Sequence, residues 1–142
     1  MALSGGCYCG ELRYEAGGEP RFKGQCHCRE CQYISGGSEN LFITPAADFK
    51  YVKGAPKSFT RSDLPSPGTR EFCGACGTHL TTRVPSDTSI LVLKVGTLDD
   101  PRAYGGPQAA IWLDDAQPFH LIPEGIPTFP ASPAAEPTRG RG

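Results

Sequence analysis

Residues 72–80 read Phe72-Cys73-Gly74-Ala75-Cys76-Gly77-Thr78-His79-Leu80, and the reading of this stretch decides the fold. Two cysteines three apart, with glycines at 74 and 77, predict a tight turn whose amide groups face a metal-bound sulfur. That is half of a tetrahedral zinc site. Arg70 to Cys73 before it and His79 to Val84 after it read as the two arms of a hairpin with the knuckle at its tip.

The complement lies at the start of the chain. Cys7 and Cys9 are two apart, so on a strand their side chains project to one face, and Gly10 frees the backbone to bend. Cys7, Cys9, Cys73 and Cys76 then make four thiolates around one Zn²⁺, a closed structural site. Three cysteines remain. Cys28 and Cys31 repeat the knuckle spacing and Cys26 lies two before it, so a single short segment can wrap a second ion. Three protein ligands and one free position is the arrangement of catalytic zinc. Four thiolates leave the ion doubly negative and three leave it singly negative, so the three-thiolate ion is the better Lewis acid. Thiolate-rich sites also favour soft ligands such as an incoming sulfur.

Two other readings of Cys26, Cys28 and Cys31 stay open. His27, His79 or His120 could close the group into a second structural site, or the thiols could be inert core residues. His27 lies between two of the proposed ligands and on an extended segment faces away from them. Its titration range suits a proton shuttle, or it packs or is solvated elsewhere.

The rest of the chain predicts short strands. Leu12 and Tyr14 alternate with Arg13 and Glu15, the pattern of a half-buried strand. Arg21 to Cys28, Leu41 to Thr44 (stopped by Pro45), Phe49 to Val52, Ser58 to Arg61 and Ala109 to Leu113 are further strands. Ile90 to Val95 is the most apolar stretch and suits a central strand. A short helical turn is predicted through Arg29-Glu30-Cys31-Gln32, and Ser62 to Gly68 is a loop. Phe42, Phe49, Phe59 and Phe72 read as core. Trp112 reads as burial against the sheet, and Tyr33 and Ser35 as pocket lining, packing or a turn.

Size and composition agree with this. A chain of 142 residues suits one domain, and 18 Gly with 14 Pro favour turns over long helices. We place the domain at residues 1–130, with 131–142 a disordered tail of Pro, Ala, Gly and Arg. A net charge of −1 points away from nucleic acid. Lys50, Lys53, Lys57 and Arg61 read as a solvated strand face. The start of the chain has no basic lead or apolar run, and no stretch reaches the ~20 apolar residues of a membrane span. The expectation is a cytoplasmic protein whose odd number of cysteines holds metal rather than disulfides.

The motifs also form a recognisable series. Gly6-Cys7-Tyr8-Cys9-Gly10 with Leu12 to Glu15, then Cys26-His27-Cys28 with Cys31-Gln32 and Ser35-Gly36-Gly37, then the 72–80 knuckle, resemble the glutathione-dependent formaldehyde-activating enzyme family, which includes centromere protein V. Val95 to Pro101, and Ile111-Trp112 through Pro118-Phe119-His120, resemble its later signatures. The resemblance spans residues 4 to 130. It implies an all-β, β-tent zinc fold of packed antiparallel sheets with little helix. It implies two zinc ions per chain, one structural on Cys7, Cys9, Cys73 and Cys76 and one catalytic on Cys26, Cys28 and Cys31. It also implies carbon–sulfur lyase chemistry on a small thiol or aldehyde, S-hydroxymethylglutathione being the family's adduct. Arg29, Arg61 and Arg70 are cations available to the carboxylates of glutathione, or simple surface charges. The other functional classes the residues allow are a zinc-stabilised β-tent binding module and a thiol or metal sensor without catalysis.

Overall fold

The computed structural model describes residues 2–132, so most of the segment read as a disordered tail, residues 133–142, lies outside the described residues. The described chain runs β1 (Leu3–Gly6), β2 (Arg13–Ala16), β3 (Phe22–Cys26), α1 (Arg29–Ser35), β4 (Glu39–Pro45), β5 (Phe49–Lys53), β6 (Lys57–Thr60), β7 (Thr69–Phe72), β8 (His79–Arg83), β9 (Ile90–Lys94) and β10 (Ala109–Ile111). Short 3-10 turns fill several connections. The strands form a three-stranded sheet in the order β1-β2-β5 and a seven-stranded sheet in the order β10-β3-β4-β9-β8-β7-β6. No helix among the described residues is long and apolar enough to cross a membrane.

The apolar run at 90–95 does become the middle strand of the large sheet, flanked by β4 and β8. Its alternation divides the core. Leu91 and Leu93 of β9 and Phe42 of β4 belong to one buried cluster, with Tyr14, Phe49, Leu80, Cys7 and Cys73. Leu41, Ile43 and Val92 of the same two strands pack into a second cluster with Cys26, Cys28, Cys31, Ile111 and Trp112. Successive strand residues face opposite sides, so both clusters are built on one sheet, one against each face. Burying each large apolar side chain contributes about 1.5–3 kcal/mol.

The small sheet closes over the first cluster through aromatic and polar contacts. Tyr14 and Phe49 place their ring centroids 5.2 Å apart. The Tyr51 hydroxyl of β5 donates to Glu71 Oε1 of β7 at 3.1 Å, bridging the two sheets. The Tyr14 hydroxyl meets Thr97 Oγ1 at 2.9 Å, and Arg13 forms an ion pair with Asp99.

The structure corrects several expectations. The sheets are not wholly antiparallel: β10 runs parallel to β3, with Ala109 opposite Gly24 and Ile111 opposite Cys26. Residues 95–108 form a crossover that returns the chain to that edge in the same direction, as parallel pairing requires. β1, with its two glycines, carries too little apolar pattern to be read from sequence. Phe42 and Phe49 are buried and Phe72 is half-buried, but Phe59 is 59% exposed because β6 is the outer strand of its sheet. Trp112 is buried as expected, at 3% exposure, yet it adopts φ 60. A bulky residue in the left-handed region costs on the order of 1–3 kcal/mol. The surroundings hold it there: the Trp112 amide donates to the Ala131 carbonyl at 3.2 Å and its own carbonyl accepts from the Asp115 amide at 3.1 Å.

Candidate metal centres

The knuckle sits between β7 and β8, whose antiparallel pairing sets Phe72 opposite His79. The Cys73 amide donates to the Thr78 carbonyl and the Gly77 amide to the Cys73 carbonyl, closing the turn. Gly77 takes φ 80, a left-handed conformation that glycine adopts without strain. Gly74 does not have a left-handed φ; its missing side chain leaves room for the Lys57 stem, which a Cβ would meet at 2.9 Å. The amides of Ala75 and Cys76 point at Cys73 Sγ from 3.4 and 3.5 Å.

Cys7 and Cys9 lie in the tight turn joining β1 to β2 rather than on a strand. The Gly10 amide bonds the Cys7 carbonyl at 3.2 Å and Gly10 takes φ 83, so a bend, not a pleat, brings the two thiols together. Their sulfurs are 3.6 Å apart, and Cys9 Sγ is 3.8 Å from Cys73 Sγ. All four sulfurs of Cys7, Cys9, Cys73 and Cys76 lie within 4.8 Å of one another, a group that could hold a metal ion.

The second group is local. Cys26 ends β3, and Cys28 caps α1, its sulfur accepting from the Cys31 amide at 3.3 Å. Cys28 and Cys31 sulfurs are 3.1 Å apart, and the sulfurs of Cys26, Cys28 and Cys31 all lie within 4.8 Å of one another. This group too could hold a metal ion, and all three residues are buried. No histidine joins either group among the described residues.

Electrostatics separate the two groups. The Thr78 hydroxyl, 3.2 Å from Cys76 Sγ, and then the Thr78 amide hold the Cys76 thiol down at about 6. Burial pushes Cys7 up, but the Leu12 amide, 3.2 Å from its sulfur, and the neighbouring sulfurs outweigh it, so the thiol lies below the ordinary range. The Glu11 amide favours the Cys9 thiolate, but burial and the adjacent sulfurs push Cys9 up to about 12. In the three-cysteine group the Cys28 sulfur, with burial, raises Cys26, and the sulfurs of Cys26 and Cys28, with burial and Glu39, raise Cys31 well above the ordinary range. Three packed sulfurs cannot all carry charge without a cation among them. A divalent ion reverses that preference, because its charge favours every thiolate at once.

The surroundings of the three-cysteine group were only partly legible. Glu39 Oε2 lies 3.3 Å from Cys31 Sγ and 2.9 Å from Lys94 Nζ, and this ion pair is buried. The one sequence clue was Lys94, a charge closing an apolar run. Gln32 is fully engaged: its amide nitrogen donates to the carbonyls of His27 and Asp115 at 2.8 and 2.9 Å, and its oxygen accepts from Arg29 and Gln117. His27 is completely buried, not solvated. Its Nε2 lies 3.0 Å from Gln25 Oε1 and its Nδ1 2.8 Å from His120 Nδ1, so neither ring nitrogen faces a sulfur. Burial, and then the His120 charge, lower its affinity for a proton. His120, remote in sequence, is thus the close neighbour of His27, whereas His79 stacks on Phe72 at 5.5 Å. Arg70 pairs with Glu30, Arg61 with Asp63, and Arg29 lies over the Tyr33 ring.

A mostly β chain with two thiol groups able to hold metal, one against each face of a single sheet, defines the class of the molecule. The model of the glutathione-dependent formaldehyde-activating enzyme family matches residues 2–115, so the chain belongs to that family. Among solved structures, that of a protein from Rhodobacter sphaeroides superposes with a TM-score of 0.57 at 21% identity, covering 74% of this chain and 97% of that one. At that identity the likeness speaks for the fold alone. No curated protein matches this chain in sequence.

Proposed function

We propose that the chain is a zinc-dependent carbon–sulfur lyase that joins or separates a small thiol and an aldehyde. Zinc is the cation chosen because an all-sulfur, four-coordinate donor set suits it. Cys7, Cys9, Cys73 and Cys76 hold a structural ion. Cys26, Cys28 and Cys31 hold the catalytic ion. The carrying observation is the arrangement of three buried sulfurs within 4.8 Å with no fourth protein ligand from histidine among the described residues.

Bound there, zinc would supply Lewis-acid chemistry. The protein supplies the rest. Leu41, Ile111 and Trp112 pack around the sulfurs and exclude water, which strengthens electrostatic interactions in the site. Glu39, held by Lys94, offers a proton acceptor at the edge of the cluster. Gln32 ties helix α1, which carries Cys31 and is capped by Cys28, to Asp115 and Gln117, fixing the donor geometry. His27 serves as a positioning residue, its ring pinned between Gln25 and His120. In the forward direction the thiol sulfur bonds to the aldehyde carbon, and the thiol proton ends on the aldehyde oxygen. The reverse reaction returns it.

The substrate in this reading is a small thiol or its aldehyde adduct, glutathione among the candidates, and the protein works in the cytoplasm without nucleic acid or membrane. The test is metal counting combined with turnover of S-hydroxymethyl adducts of a thiol panel. Two zinc ions per chain and turnover lost with the second ion are expected. One tight ion, or no turnover of any adduct, would return the molecule to a zinc-stabilised binding module. Ready oxidation of Cys26, Cys28 and Cys31 with zinc release but without turnover would mark a sensor.

A further inference from the structure

A cavity of about 320 Å³ opens between α1, β6, the 61–68 loop and the start of β8. That volume falls within the range of small-molecule sites, about 300–1,000 Å³. Tyr33, Ile34, Phe59 and Leu64 form an apolar wall. Tyr33 and Phe59 are large aromatic side chains that stand mostly exposed at its sides, so a ligand body would cover surface now facing water.

Two guanidinium groups line the same cavity, Arg61 and Arg70. They differ in availability. Arg70 is largely buried, paired with Glu30 and bonded to Thr82 Oγ1 at 2.9 Å. Arg61 is paired with Asp63 at 2.6 Å, but that carboxylate is 64% exposed. Surface pairs of this kind are weak, so a carboxylate arriving at the cavity can displace Asp63. Glu30, the acidic group in the lining, is already neutralised by Arg70.

The cavity is joined to the three-cysteine group by a run of contacts. Cys31 Sγ meets Glu39 at 3.3 Å, Glu39 meets Lys94 at 2.9 Å, Lys94 meets Thr82 at 3.1 Å, and Thr82 meets Arg70. Helix α1 contributes Cys31 to the metal centre and Tyr33 and Ile34 to the cavity wall.

We propose that this cavity is a recognition site for a small molecule with an aromatic-sized apolar body and a single carboxylate, the body against Phe59 and Tyr33 and the carboxylate on Arg61. The ligand is thereby a small monocarboxylate rather than a peptide with several charges. A cavity walled chiefly by apolar side chains leaves the polar groups of a peptide without partners, and such groups are costly to bury.

The test uses the zinc-loaded full chain and calorimetric titration with 3-phenylpropanoate and 3-phenylpropanamide. The acid should bind about tenfold more tightly than the amide, and Arg61→Gln should erase that difference. Phe59→Ala, at an exposed edge-strand position that tolerates truncation, should weaken acid and amide alike. No binding of the acid, or equal binding by wild type and both variants, overturns the cavity proposal.

Discussion

The two cysteine groups are built from the same residue type and nearly the same spacings, yet they do opposite things to the chain. The four-cysteine group joins residues 64 apart, from the β1–β2 turn and the β7–β8 knuckle, so it ties the small sheet to the large one. The three-cysteine group takes all its sulfurs from Cys26 to Cys31 and ties nothing distant. Closing a long loop removes much conformational freedom from the unfolded chain, while closing a six-residue one removes little. A metal ion at the first group would therefore hold the fold, and the function proposed above gives the chemistry to the second. The sheet itself keeps them apart, because alternate residues of β4 and β9 face different clusters.

The sharpest way to break this contrast is to remove one thiol from each group. Cys73→Ser should abolish the cooperative thermal transition seen by circular dichroism, since apparent binding free energies of structural zinc run to about 10–16 kcal/mol. Cys28→Ser should drop turnover below detection while the thermal transition persists. If Cys28→Ser unfolds as completely as Cys73→Ser, the division between structural and catalytic groups is wrong.

A smaller effect tests the ion pair beside the second group. Lys94→Met leaves Glu39 buried without its cation and should destabilise the protein by about 3–5 kcal/mol in denaturant titration. The double variant Glu39→Gln with Lys94→Met should recover much of that loss. Equal losses in the single and double variants would show that Lys94 acts through packing alone.

Acid should also separate the centres. Thiols raised above the ordinary range hold their protons through neutral pH, so a metal ion must displace them, and its affinity falls as pH falls. Cys26 and Cys31 are raised, whereas in the four-cysteine group Cys9 is raised, to about 12, but Cys7 is lowered and Cys76 lies at about 6. Of the two metal ions, the one on Cys26, Cys28 and Cys31 should be released first as pH falls, read by a chromogenic zinc indicator in a stepped titration. Release in the reverse order would contradict the assignment of the better-stabilised thiolates to the first group. The smallest effect belongs to the bridge between the sheets. Tyr51→Phe removes its bond to Glu71 and should cost about 0.5–1.5 kcal/mol, with turnover unchanged.

What the sequence determined on its own was whatever rests on short-range geometry. Period-two alternation marked Tyr14 as buried, continuous apolarity marked the 90–95 run as central, and close spacing marked Cys7 with Cys9, Cys73 with Cys76, and Cys26, Cys28 and Cys31 as local sets, because local backbone geometry governs which near neighbours can meet. Pairing the first two sets rested on the four ligands that a closed zinc site needs. Only the tertiary structure decided the rest. Glu39 meets Lys94 across 55 residues and His27 meets His120 across 93, and no local pattern announces either contact. The parallel placement of β10, the left-handed Trp112 and the cavity beside Arg61 likewise follow from strand order and crossover. Those features are chosen by packing of the whole chain, where many distant pairings compete and only their sum selects one.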